Sequence, residues 1–245
     1  MELLKNHPFA VEAFFERSLV LTYAVPKEAL QKLIPECLEL DLLHDQWGFV
    51  AAAFVQTQNL RPKGFPTFMG NDFFLIGFRI FVRYRTSANK NLRGLYILRS
   101  ETDKRKMAVM GNTFTHYNYV HTDIVQHIDA CQTTIQSKKS GIEITVDTAQ
   151  QETSLPTGSP FADWKEARRF AGPLPFTFTY NAARKQVLII EGVRENWTPR
   201  PVHVVKHEIG FVKSMQLPGI ILANAFMIEN IPYYWKKGKI DKWMH

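Results

Sequence analysis

Cysteine is almost missing: Cys37 and Cys131 are the only two in 245 residues. They are too few and too far apart for a zinc cluster or a disulfide framework, which fits reduced thiols in a cytoplasmic protein. Long apolar runs are missing as well. The longest, residues 219–228, contains Asn224 and spans about ten residues, where a membrane helix needs ~20. The stretch 9–21 is broken by Glu12, Glu16 and Arg17 and does not read as a secretory leader. There is no GxSxG nucleophile elbow, phosphate loop or GxGxxG turn, so the usual hydrolase and nucleotide signatures are absent. Nor is there an internal repeat, a low-complexity segment or a linker, which favours one continuous domain over residues 1–245.

What is present is an ordinary globular composition, 45% hydrophobic and 13% aromatic, enough for a substantial core. The formal charge of +7 is scattered in small groups such as Lys104-Arg105-Lys106 and Arg168-Arg169. Without an RNP-like aromatic motif or a zinc finger beside them, these groups read as solvated surface, with no nucleic acid or membrane as partner.

Period-two alternation dominates the chain. Residues 14–23, 38–42, 47–57, 74–84 and 94–100 read as strands. Further short strands are expected at 107–110, 117–121, 124–136, 141–147, 202–212 and 220–228, and a hairpin at 176–191. Two short helices interrupt them. One follows Val25-Pro26 and ends at Pro35; the other spans 161–171, with Ser159 as N-cap, Pro160 in the first position, and Gly172-Pro173 as its stop. The predicted class is α+β, predominantly antiparallel β.

Several polar residues sit where the pattern does not want them. In 14–23, Arg17 shares a face with Phe15, Leu19, Leu21 and Tyr23. Burying a guanidinium unpaired costs roughly 3–5 kcal/mol, so Arg17 needs a fixed carboxylate, an escape at the strand end, or an anionic ligand. Arg79, flanked by Gly77 and Phe81, either points an anion-binding fork into a cavity with Gly77 leaving room for a ligand, or joins Arg83 and Arg85 on a solvated face. His203 and His207 have the spacing of an HExxH helix, but Val204 replaces the glutamate and the neighbours are β-formers. On a strand the imidazoles are about 13 Å apart, too far for one ion. His116, His121, Asp123, His127 and Asp129 show no ligand spacing, so no metal is assigned. Tyr233, Tyr234 and Trp235 read as a terminal strand ahead of a basic tail.

The run Phe15-Glu16-Arg17 through Leu21-Thr22-Tyr23, Val25-Pro26, Glu28-Ala29-Leu30 and Leu33-Ile34-Pro35-Glu36 resembles the opening of the acetoacetate decarboxylase superfamily. Gly48-Phe49-Val50, Arg61-Pro62, Gly64-Phe65-Pro66, Phe78-Arg79-Ile80-Phe81-Val82 and Gly94-Leu95-Tyr96 are most similar to its uncharacterised YqjF-like branch. The resemblance implies an acetoacetate decarboxylase-like barrel with a central pocket, Arg17 at the place of an active-site arginine, and a homo-oligomer of unset order. It also implies what has been lost. The family's Schiff-base lysine follows a Gly-Arg-Glu and Pro-Lys pattern, and the matching stretch here is Gly111-Asn112-Thr113 through His116-Tyr117-Asn118-Tyr119, with Tyr119 in the lysine's place. A phenol cannot condense with a keto acid to an imine. Leu75 likewise stands where a carboxylate is expected.

The resulting expectation is a cofactor-free pocket protein that binds a small organic acid or an anionic apolar molecule. Arg17 is the expected charge clamp, and Arg79, Asn112, His116 and Tyr119 are the further candidate ligand-binding residues. Two alternatives stand beside it: an enzyme doing noncovalent acid/base work through His116 or Tyr119, and a structural protein whose pocket is filled by its own side chains.

Overall fold

The computed structural model describes residues 2–149, 154–172 and 174–244. Strand alternation is realised over long stretches: β1 (Val11–Pro26), β2 (Glu39–Leu40), β3 (Trp47–Pro62), β4 (Asn71–Arg85) and β5 (Asn91–Thr102). Shorter strands follow: β6 (Tyr119–His121), β7 (Val125–Ile128), β8 (Gln132–Ser137), β9 (Ile142–Asp147), β10 (Phe176–Asn181) and β11 (Gln186–Arg194). The last are β12 (Arg200–Pro201), β13 (His203–Ile209), β14 (Ile221–Trp235) and β15 (Lys239–Lys242). The helices are short: α1 (Glu2–Lys5), α2 (Lys27–Leu30), α3 (Arg105–Phe114), α4 (Trp164–Phe170) and α5 (Gly210–Ser214).

The larger sheet runs β14-β1-β3-β4-β5-β10-β11, and β11 pairs again with β14, so the strand pairings return to their start. All of these pairings are antiparallel except β5 with β10. A second sheet, β13-β9-β8-β7, lies against the outer face of the first. Leu19, Leu21, Phe54, Ile76 and Phe78 from one sheet meet Ile135, Ile144 and Val146 from the other in a dry core. On β4 the sequence alternation holds throughout. Phe74, Ile76, Phe78, Ile80, Val82 and Tyr84 point into cores outside the ring, and Leu75, Gly77, Arg79 and Phe81 point inward.

Two bulges reset the faces that the sequence suggests. The register of β1 against β3 slips between Phe15 and Arg17. Phe15 therefore joins Ser18 and Val20 on the inner face, while Arg17 stays with Leu19, Leu21 and Tyr23 on the outer one. A slip on β5 at the Phe78/Arg79 pairing leaves Ile97 and Ser100 facing in, with Arg99 and Glu101 facing out. Glu101 is fully buried there, 2.8 Å from Nε of Arg99.

Three local expectations are corrected. Residues 107–110 belong to helix α3 instead of a strand, because Met107 and Gly111 recur at helical spacing on its buried side. The second long helix starts later than expected: its cap is Asp163, whose carboxylate accepts from the N–H of Glu166, while the Ser159 hydroxyl donates to the carbonyl of Ala223. Residues 202–212 split into β13 and α5 at Gly210. Pro173, expected to stop α4 together with Gly172, lies outside the described residues. No helix among the described residues is long and apolar enough to cross a membrane.

The ring closes at Gly192, paired with Trp235, and at Arg194, paired with Tyr233. A side chain on Gly192 would occupy the position of the Tyr233 hydroxyl. Gly192→Ala is therefore expected to destabilise the protein by about 1–3 kcal/mol, as overpacking does in closed interiors. Adding Tyr233→Phe, which removes the clashing oxygen, should recover part of that loss in a urea denaturation series. Equal stability of the single and double variants would show that this contact does not limit closure.

Candidate functional site: an arginine chamber inside the ring

Small residues keep the inside of the ring open. Ala51, Ala53 and Gly77 face one another across β3 and β4, with Ala53 paired to Gly77. They leave a cavity of about 130 Å³, walled by Phe15, Phe81, Leu95, Phe226, Tyr233 and Trp235. Phe15 stacks on Tyr233 at 4.7 Å, and Tyr233 packs on Trp235 at 4.5 Å. At the far end, Phe49 stacks on Phe161 and both meet the tilted ring of Phe170 from α4.

Arg79 enters this cavity from the middle of β4. Gly77 makes room for it: a β-carbon there would lie 2.7 Å from Nη2 of Arg79. The space that the sequence suggested for a ligand is thus taken by the guanidinium itself, folded back over the glycine. The Nε of Arg79 is buried and has no hydrogen-bond partner. Burial lowers its pKa, Tyr233 opposes that, and Arg194 adds to it. Among the described lining residues there are two arginines, Arg79 and Arg194, and no lysine, aspartate or glutamate. Arg194 lies over the Trp197 ring at 4.4 Å and the Tyr233 ring at 5.4 Å.

Two further phenols complete the wall. The Tyr117 hydroxyl shares a 2.7 Å hydrogen bond with Oγ1 of Thr177 on β10. Tyr119 is pushed up to about 12 by burial, although Arg79 pulls the other way. Its backbone is clamped by one side chain: the Asn112 amide donates to the Tyr119 carbonyl at 2.9 Å and accepts from its N–H at 2.8 Å. The Tyr119 ring packs where a side chain on Gly111 would otherwise stand.

The five candidate residues therefore separate. Arg79 and Tyr119 meet in the cavity. Asn112 is exposed on α3 and positions Tyr119 without lining the cavity. His116 lines a different depression, with Asn6, Thr179 and Arg184. Arg17 lies outside the lining; its Nε donates to Oε1 of Glu229 on β14 at 2.9 Å, so the carboxylate that an apolar face demands comes from the neighbouring strand. Tyr117, Arg194 and Trp197 were not foreseen. For Tyr233 the signal was present in the alternation of Ile231, Tyr233 and Trp235, since all three line the cavity.

Comparison with known proteins agrees with the architecture. A family model, DUF2071, described as an uncharacterized conserved protein, matches residues 13–232. The fold is that of acetoacetate decarboxylase from Legionella pneumophila subsp. pneumophila str. Philadelphia 1, at a TM-score of 0.62 and 12% identity, over 95% of this chain and 87% of that one. An acetoacetate decarboxylase-like enzyme from Sphingomonas wittichii RW1 aligns at a TM-score of 0.58 and 8% identity, over 96% and 93% of the two chains. The enduracididine biosynthesis enzyme MppR, solved with pyruvate, aligns at a TM-score of 0.56 and 10% identity, over 95% and 90%. No curated protein matches the chain.

Tyr119 carries a pH signature. Its pKa in the fold, about 12, lies above the ordinary value of 10.0, so the unfolded chain gives up this proton first. Stability from this group is complete below about pH 10 and is lost as pH climbs towards 12. Urea midpoints measured across that range should fall for the wild type and fall less steeply for Tyr119→Phe. An unchanged slope would place the phenol in solvent.

Proposed function

Since the chain belongs to the DUF2071 family of uncharacterized conserved proteins, we propose that its chamber binds a small organic acid, with Arg79 as the charge clamp and aromatic walls around the rest. The observation that carries this reading is a guanidinium with a buried, unpartnered Nε in a cavity whose described lining holds no acidic residue. A charge held this way is strongly unfavourable unless an anion completes it. Volume sets the size of the guest. About 130 Å³ corresponds to roughly four waters at ~30 Å³ each, the bulk of an acid with a few carbons.

Decarboxylation through an imine is not part of this reading. Tyr119 offers a phenol, and no lysine is among the described lining residues. A phenol is protonated at neutral pH and burial pushes its pKa further up, which suits it to donate a hydrogen bond to the bound acid and not to remove a proton from it. A second reading follows from this placement: Tyr119 acts as a noncovalent general acid on a ligand clamped by Arg79.

Thermal-shift measurements with pyruvate, lactate, acetoacetate and butyrate test the proposal. At least one acid is expected to raise the unfolding temperature of the wild type and of Arg17→Met, whose native side chain is already engaged by Glu229. The shift should vanish in Arg79→Met. The proposal fails if none of the acids stabilises the wild type, or if the shift survives loss of the Arg79 guanidinium.

A further inference from the structure

The chamber shares part of its wall with a second hollow. A cleft of about 550 Å³ lies between α4 and the 197–201 segment, and it shares Ala171, Gly172, Trp197 and Phe226 with the chamber. The chamber alone is too small for more than a short acid, whereas the cleft has the volume of an ordinary small-molecule site. The cleft is lined by exposed Lys165, Arg168 and Arg169 on α4, and none of these forms an ion pair among the described residues. Glu166, the acidic residue of the same helix, is turned away to His44 and to the N–H of Ala162.

Surface cations alone would not make a site. The floor of the cleft adds an independent observation. Asn224 is 1% exposed and lines the cleft, yet neither its amide nitrogen nor its amide oxygen has a hydrogen-bond partner. A buried amide without partners is costly, because it has given up its hydrogen bonds to water and gained none in return. The Nε1 of Trp197, at the border between the two hollows, is buried and unpartnered in the same way. Donors and an acceptor are therefore held without partners beneath a ring of unneutralised positive charge.

We infer that this cleft is a second subsite of the same cavity, built for the phosphate-bearing end of an elongated ligand whose carboxylate head reaches Arg79 in the chamber. The inference rests on the reading of the chamber as an acid-binding site and adds the ligand's other half. Lys165, Arg168 and Arg169 face the multiply charged group. Asn224 and Trp197, beneath them, donate hydrogen bonds from the amide nitrogen and Nε1 to oxygens of the same group.

Isothermal titration with hexanoate, adipate, ω-phosphonohexanoate and ω-phosphonoundecanoate tests it. At least one phosphonate is expected to bind about tenfold or more tightly than hexanoate, a difference of about 1.4 kcal/mol. That gain should disappear in the triple variant Lys165→Gln/Arg168→Gln/Arg169→Gln while hexanoate affinity stays unchanged, and phosphonate binding should also fall in Arg79→Met. Asn224→Leu, which removes two unsatisfied buried atoms, should weaken phosphonate binding without lowering the unfolding temperature. A gain that survives the triple variant overturns the subsite, and an equal gain for adipate overturns the assignment to phosphate. If hexanoate binds through Arg79 and neither phosphonate binds more tightly, the subsite falls and the chamber reading stands. If hexanoate shows no Arg79-dependent binding, the chamber reading falls first.

Discussion

Ring closure between β11 and β14 is the constraint on which the site depends. Those few pairs, Gly192 with Trp235 through Arg194 with Tyr233, join segments about forty residues apart in the chain. They require the Tyr233 hydroxyl to lie where any larger residue than glycine would place its side chain. Once they form, Tyr233 and Arg194 stand near Arg79, which comes from the opposite wall, and an open sheet becomes an enclosure. Without closure, Arg79 would be a solvated side chain on a concave face.

Closure also explains the uneven treatment of charge. Arg83 and Arg93, at the far end of the same inner surface, converge on the fully buried carboxylate of Asp41 at 2.6 Å each. Arg17 finds Glu229, and Arg99 finds Glu101. Each of these guanidiniums meets a carboxylate, from a neighbouring strand or segment for Arg17, Arg83 and Arg93 and along the same strand for Arg99. Arg79 does not. Its neighbours within the ring are phenols, small residues and a second arginine. Arg194, the other arginine of the lining, likewise meets no carboxylate among the described residues and lies over the rings of Trp197 and Tyr233, so both guanidiniums of the chamber are left to aromatic rings and hydroxyls.

The two hollows differ in size and in lining. The chamber is narrow, with Phe15, Tyr233 and Trp235 packed on one another in its wall and Arg79 and Arg194 among its polar residues. The cleft is wide, basic and floored by an unsatisfied amide. Trp197 borders both and lies under the Arg194 guanidinium, so one side chain links the environments.

The sequence by itself determined the class of fold and which residues share a face with Arg79, while only the closed ring decided that this face looks into a cavity and not into solvent. Alternation along residues 74–84 survives intact in β4, because a long strand with one face on a core cannot slip register without burying its polar set. The resemblance of residues 111–119 to a lysine motif that holds a tyrosine was likewise enough to bring Tyr119 to notice, and the structure puts it in the cavity. Arg17 was read correctly as needing a carboxylate, an escape or an anion, but the choice among them belongs to Glu229, more than two hundred positions away. The move of Phe15 to the inner face depends on a bulge, which adds one residue to a strand and leaves no mark in the alternation. Asn224 was visible only as a polar break in an apolar run. That its amide is sealed without a partner is a property of the packed neighbours on every side, and only the tertiary structure decides what those neighbours are.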